Sequence, residues 1–256
     1  MKKYLNVLSI DWDYFIDATE KQRIVDFPDG NDDLSMSVKN ILWANRYSEN
    51  SSIEKIGIRK DEYEELTIYL VGLIVNTDSC NISTMVTDSH KYIYDVISEK
   101  LSESDTSLPV KLFHIDYHPD YYEDGQNLHC GNWLNYLYKD LEKNKTLTDS
   151  EVVWMAREDS DENPDVSTVM RKTEYDRNTE LYDTIDEFFN GHIPDILFLC
   201  KSNPWSPPHL DYWFDKLSEV AIGIGKARWS NDINNRYTTE FQDTIKEFSS
   251  LKRCRR

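Results

Sequence analysis

Residues 114–120 read His-Ile-Asp-Tyr-His-Pro-Asp, and within them Asp116-x-His118-x-Asp120 sets two carboxylates around an imidazole. The run before it, Val110 to Ile115, is apolar and rich in strand-forming residues, so the motif closes a predicted strand. Side chains at i, i+2 and i+4 of a strand share a face, which would converge Asp116, His118 and Asp120 on one point. Two hard oxygens beside an imidazole nitrogen suit Mn²⁺, Fe²⁺ or Zn²⁺ better than Ca²⁺ or Mg²⁺, which favour oxygen alone. A strand end whose polar residues merely face water is the competing reading of this segment on its own.

Other segments carry reactive residue types at the ends of predicted strands. Asp11-Trp12-Asp13 closes the first one. Neighbouring carboxylates repel unless a cation or a proton compensates them. A metal pair, a phosphatase-type nucleophile and acid, and a capping role all fit. Thr87-Asp88-Ser89-His90 follows a second short strand. There Asp88 or Ser89 can cap the next helix, with His90 either structural in its first turn or a metal ligand. Asn127-Leu128-His129-Cys130-Gly131-Asn132 lies beyond the Asp-His-Asp motif. His129 is either a loop histidine or a proton shuttle beside a metal site, titrating near neutrality. The last clear strand leads into Lys201-Ser202-Asn203-Pro204-Trp205-Ser206-Pro207-Pro208. Its prolines stiffen a loop in which Trp205 could wall a pocket. Asn203 and Trp205, with Asn127, are the candidate substrate contacts.

The elements that must position these residues alternate between short apolar runs and amphipathic stretches. Strands are expected at Lys3–Asp11, Ile82–Val86, Val110–Ile115, Val152–Met155 and Ile196–Cys200. Helices are expected over Asp61–Val75, His90–Leu101, Asn132–Leu141, 179–190 and from Pro207 to Leu217. Ser48–Ser52 and Asp26–Asp33 read as polar loops, and Glu158–Asp165 as an acidic one. This order predicts one α/β domain over residues 1–256, a three-layer αβα arrangement with a mainly parallel sheet covered on both faces. In such sheets ligands bind at the carboxyl ends of the strands, where the motifs fall.

The chain of 256 residues is 39% hydrophobic and 12% aromatic, enough for a core. Its net charge of −18 argues against a nucleic-acid partner and favours cationic ligands, although plain solubility accounts for the charge equally well. Asp11 and Asp13 interrupt the N-terminal apolar run, so it does not read as a signal peptide. No stretch approaches the ~18 apolar residues of a membrane span. Cys80, Cys130, Cys200 and Cys254 show no metal-finger or paired spacing, so reduced thiols in a cytoplasmic protein are expected.

Together the pieces resemble the arginase–deacetylase (ureohydrolase) superfamily, and most closely its peptide-arginase branch. That family carries a histidine after one strand, Asp-x-His-x-Asp on the next, an Asn-Leu-His-Gly-like loop and a further Asp-x-Asp. His90, Asp116-Tyr117-His118-Pro119-Asp120, Asn127-Leu128-His129-Cys130-Gly131 and Asp11-Trp12-Asp13 occupy those places. The resemblance spans roughly residues 8–15 and 84–135, with a looser echo at 196–210. It implies that Asp116 and Asp11 bridge two manganese ions, Fe²⁺ or Zn²⁺ being the alternatives. His90 and Asp120 would complete one coordination sphere, His118 and Asp13 the other, with His129 as the proton shuttle. Here the Asp-x-Asp comes first in the chain rather than late, so the strand order is permuted relative to arginases. Lys201 stands near the place of a guanidinium-binding acid, and a lysine would repel that group.

The function expected is a binuclear metal hydrolase that converts peptide-bound arginine to ornithine and urea. A deacylase of acylated amines is the close alternative. A phosphotransfer enzyme built on Asp11 and Asp13 would leave the Asp116 motif unexplained, and a non-catalytic peptide-binding protein on the same fold would not need all six ligand-type residues.

Overall fold

The first apolar run folds as β1 (Leu5–Asp11), buried along almost its whole length. β2 (Ile16–Asp17) and β3 (Gly57–Ile58) form a small antiparallel pair. They are followed by β4 (Ser83–Thr87), β5 (Val110–Ile115), β6 (Glu151–Met155), β7 (Ile196–Cys200) and β8 (Lys226–Trp229). β1 and β4 to β8 make a six-stranded, all-parallel sheet in the order β6-β5-β1-β7-β4-β8. This is a computed structural model, and it describes residues 4–28, 34–75, 81–103, 108–122, 127–157, 159–160, 185, 188–229 and 233–253.

The helices are α1 (Glu20–Asp26), α2 (Met36–Glu49), α3 (Lys60–Val75), α4 (Tyr92–Ser102), α5 (Trp133–Lys143), α6 (Asp211–Ile222) and α7 (Thr239–Arg253). Alternation along the strands divides the core between the two sheet faces. Leu8 and Ile10, with Phe113, Leu197 and Leu199, pack on one side with Trp43 of α2, Leu66 and Leu70 of α3, and Phe214 of α6. Leu5 and Val7, with Leu112, Ile196 and Phe198, pack on the other with Ile93 and Ile97 of α4 and Leu134 and Leu137 of α5. The three-layer α/β architecture is therefore the one expected.

Several local expectations give way. Ser48 belongs to α2 and residues 51–55 form a 3₁₀ turn, so Ser48–Ser52 is not a loop. Asp26 closes α1, which Thr19 starts by a capping box with Gln22. The expected helix over 179–190 lies mostly outside the described residues, as do Cys80, Cys254 and most of the acidic loop. Among the described residues no helix is long and apolar enough to cross a membrane.

Candidate metal centre

The register of the sheet delivers the motifs to one edge. Asp11, the last residue of β1, is level with Cys200 on β7, which is level with Thr87 on β4. On the other side of β1, Ile10 is level with Ile115 of β5. Residues 11–13, 88–90, 116–120 and 201–202 therefore leave neighbouring strands together, at their carboxyl ends.

Each segment then turns by its own device. Asp11 caps the 3₁₀ turn Trp12–Phe15, its Oδ1 accepting the Asp13 N–H at 3.1 Å. Buried Trp12 and Phe15 anchor that turn in the core. Asp116 follows β5 and is tied back to β6: its N–H donates to the Met155 carbonyl, and its own carbonyl accepts from Trp154 Nε1 at 3.0 Å. The expected strand alternation does not gather this motif, because β5 ends at Ile115. Instead Asp116 Oδ1 accepts the His118 N–H at 2.7 Å, a tight turn that swings His118 inward. Asp120 sits in the left-handed region (φ 50°), and its Oδ2 accepts from Trp133 Nε1 at 2.5 Å. The His90 ring is held by stacking on Phe198, 5.6 Å between centroids, and by Trp133.

The result is two histidine–carboxylate groups. His90 Nδ1 lies 3.0 Å from each of Asp11 Oδ2, Asp116 Oδ2 and Asp120 Oδ2. A ring nitrogen carries at most one proton, so it can satisfy at most one of these oxygens. Ligand bonds of ~2.1 Å meeting at right angles separate neighbouring donors by ~3.0 Å, the spacing an octahedral cation requires. His118 Nδ1 lies 3.0 Å from Asp13 Oδ2 and 3.9 Å from Asp116 Oδ1. Among the described residues, and apart from these close histidine–carboxylate contacts, His90 Nδ1, Asp13 Oδ2 and Asp116 Oδ2 are buried without a hydrogen-bond partner, as donor atoms awaiting a cation would be. His90 Nε2 lies 2.7 Å from Ser9 Oγ. That leaves Nδ1 as the lone-pair nitrogen when Nε2–H donates, the outer contact usual for metal-binding histidines. His90, His114 and Asp116 form one group able to hold a metal ion, and Asp13, Asp116 and His118 another.

The electrostatics agree. Burial, then the neighbouring Asp13, pushes Asp11 up to about 6. Burial and then Asp120, Asp11 and Asp13 raise Asp116 well above the usual carboxylate range. Burial works against a charged His90, yet Asp120 with Asp11 and Asp116 raises it well above 6.5. Asp13 is also opposed by burial, but His118 holds it below the ordinary value. The metal-free cluster is thus a set of groups competing for protons, which divalent cations would replace.

Two residues at this site escaped the sequence reading. His114 is fully buried, with its Nε2 3.4 Å from Asp116 Oδ2 and its ring against His90 and Trp133. Burial, then His90, holds it well below 6.5, so it is neutral. Its position two before Asp116 was the available signal. Ser202 has φ 47° and donates its hydroxyl to Asp11 Oδ2 at 2.5 Å. No sequence pattern marks that contact.

The remaining candidates are placed as follows. The Trp205 ring is 4.9 Å from that of His118, whose side chain at 20% exposure is the most open of the histidine–carboxylate groups. Asn203 is buried, and its carbonyl accepts from Trp43 Nε1 and Arg236 Nη1. The exposed Asn127 offers its carbonyl to Asn132 Nδ2. The Gly131 N–H donates to His129 Nδ1 at 3.2 Å, so the neutral ring carries its proton on Nε2. Lys201 is fully buried, paired with Asp211 at 3.1 Å and donating to the carbonyls of Ile233 and Asn234. Comparison with protein-family models, with curated proteins and with solved structures finds no match.

Proposed function

We propose that this chain is a metal-dependent C–N hydrolase of the arginase–deacetylase type, acting on the guanidinium of arginine within a peptide. The observation that carries the reading is the shared carboxylate: Asp116 presents Oδ2 to His90 and Oδ1 toward His118. Once deprotonated, the four aspartates Asp11, Asp13, Asp116 and Asp120 would carry four negative charges, which two divalent cations would balance. The mixed nitrogen and oxygen donors favour Mn²⁺, with Fe²⁺ or Zn²⁺ as alternatives. His90, Asp11, Asp116 and Asp120 would hold one ion, and His118, Asp13 and Asp116 the other. Bound there, the ions would lower the pKa of a water molecule and supply a nucleophile at neutral pH.

The chain's own groups do the rest. His129 takes up, as a second proton, the one that the attacking water releases, giving up the Gly131 contact at Nδ1. As imidazolium it passes a proton to the departing amine nitrogen when the carbon–nitrogen bond breaks, giving ornithine and urea. Trp205 offers an aromatic face beside His118, on which a planar cation can lie. Lys201 is committed to Asp211, which removes the main objection to a cationic substrate. The net charge of −18 attracts a basic peptide. The test is metal analysis of the purified protein, with urea release from an internal-arginine peptide and from free arginine, both with Mn²⁺. The peptide is expected to be preferred. Equal or faster turnover of free arginine overturns the peptide reading, and no urea from either overturns the ureohydrolase reading.

A further inference from the structure

Arg23 on α1 is only 4% exposed although charged, and it touches both loops that carry the histidine–carboxylate groups. Its Nη2 donates to the carbonyls of Asp13 and Ile16, each at 2.9 Å. Its guanidinium lies over the ring of Tyr117, 3.8 Å from the centroid, and Tyr117 stands between Asp116 and His118. A second guanidinium, Arg157 just after β6, lies 5.5 Å from the same centroid. Arg157 donates to the carbonyls of Ile16 and Ala18, and Asp159 grips it at 2.8 and 3.1 Å. The Tyr117 hydroxyl donates to the Asp159 carbonyl at 2.7 Å, and the Tyr117 N–H points to Asp13 Oδ1 at 3.4 Å.

Burying a guanidinium is unfavourable, and among the described residues Arg23 Nε and Nη1 have no hydrogen-bond partner. The contacts it does make are therefore informative. They join the loop of Asp13 to the loop of His118, through carbonyls on one side and a stacked ring on the other. The His90 side has different supports: Ser9 for the ring, Ser202 for Asp11 and Trp133 for Asp120.

We propose that Arg23 and Arg157, acting through Tyr117, are positioning residues that hold Asp13 and His118 at the spacing one of the two metal ions requires. This rests on the two-ion reading above, and the two fail separately. The metal-stripped full-length chain is titrated calorimetrically with Mn²⁺, as wild type and as Tyr117→Leu, Tyr117→Phe and Arg23→Lys. The wild type is expected to take up two ions. Tyr117→Leu loses the ring, and Arg23→Lys keeps the charge but loses the planar fork. Each is expected to keep one ion at near wild-type affinity and to bind the other about 10–100-fold more weakly. Tyr117→Phe keeps the ring and is expected to bind both ions nearly as the wild type does. Should Tyr117→Leu fail to fold, Arg23→Lys carries the same test. Equal weakening of both ions, the mark of a general structural role, overturns the proposal, as does unchanged binding of both. A wild-type chain that binds one ion or none overturns the two-ion reading itself.

Discussion

Replacing Asp11 by Asn should make the metal-free protein more stable while abolishing its response to metal. Asp11 is buried, and its carboxyl is raised from 3.8 to about 6, first by burial and next by Asp13. Between those values the folded chain holds a proton that the unfolded chain has released, so stability falls as pH rises through the window. Above it the full cost remains. A rise of roughly two units, at about 1.4 kcal/mol each, comes to about 3 kcal/mol at pH 7. Asn removes that charge but has one carbonyl oxygen where Asp11 uses two, accepting from Asp13 N–H and Ser202 Oγ. One lost hydrogen bond returns about 1 kcal/mol. Asp11→Asn should therefore gain about 2 kcal/mol without metal at neutral pH, and the gain should shrink as pH falls from about 6 toward 3.8. With Mn²⁺ at a hundredfold excess over its Kd, the wild type should gain about 2.7 kcal/mol and the variant far less. Urea unfolding followed by the fluorescence of buried Trp12, Trp43 and Trp133, in chelator and in Mn²⁺, measures both arms. A variant less stable than wild type in chelator, or one equally stabilised by Mn²⁺, would refute the reasoning.

Asp211 accepts from Arg236 Nη2 at 2.7 Å and pairs with Lys201 at 3.1 Å, all three buried. Asp211→Ala strands two cations and should cost about 3–5 kcal/mol in urea unfolding, whereas a loss near zero would mean that the cations find water. His129→Ala should keep its Mn²⁺ by elemental analysis and lose roughly 10²–10⁴ in rate, and loss of the metal would make His129 a ligand instead. His209 accepts from Tyr47 at 2.5 Å and lies 2.8 Å from the Ile56 carbonyl, so it is held neutral, and burial keeps it below 6.5. The unfolded chain then takes up the proton first, so stability should decline as pH drops below about 6.5. His209→Phe should flatten that slope in pH-dependent melting, and an unchanged slope would assign it elsewhere.

β1, β5 and β7 were legible because strands buried on both faces are nearly unbroken apolar runs. α2 was not, since its buried face (Lys39, Trp43, Ala44 and Tyr47) includes a lysine while Val38 and Ile41 lie exposed on the same helix, which blurs the apolar stripe. α7 packs against α2 through a few side chains such as Phe241 and gave equally little signal. At the site, residue types announced Asp116 and His118, but the reason offered for their meeting was wrong. A turn closed by the Asp116 carboxylate gathers them, not the pleat of β5. His114 was passed over because a residue inside a buried strand reads as core. Its place two before Asp116 was the one sequence signal, and the register that sets it level with Ser9, the contact of His90, shows where it lies. Lys201 drew notice as a charge, whereas its neighbour Ser202 is the one that reaches Asp11.

The position of β7 has a consequence for biosynthesis. It lies between β1 and β4, yet both of those strands leave the ribosome more than a hundred residues before it. Until Ile196–Cys200 emerges, β1 and β4 have an empty lane between them. If they pair directly, His90 is displaced by one strand spacing, ~4.8 Å, from its place beside Asp11. A nascent chain holding every proposed ligand would thus still lack the arrangement that binds. On the proposed metal site, insertion of β7 would then act as a checkpoint, and metal capture would report a finished sheet rather than guide its assembly.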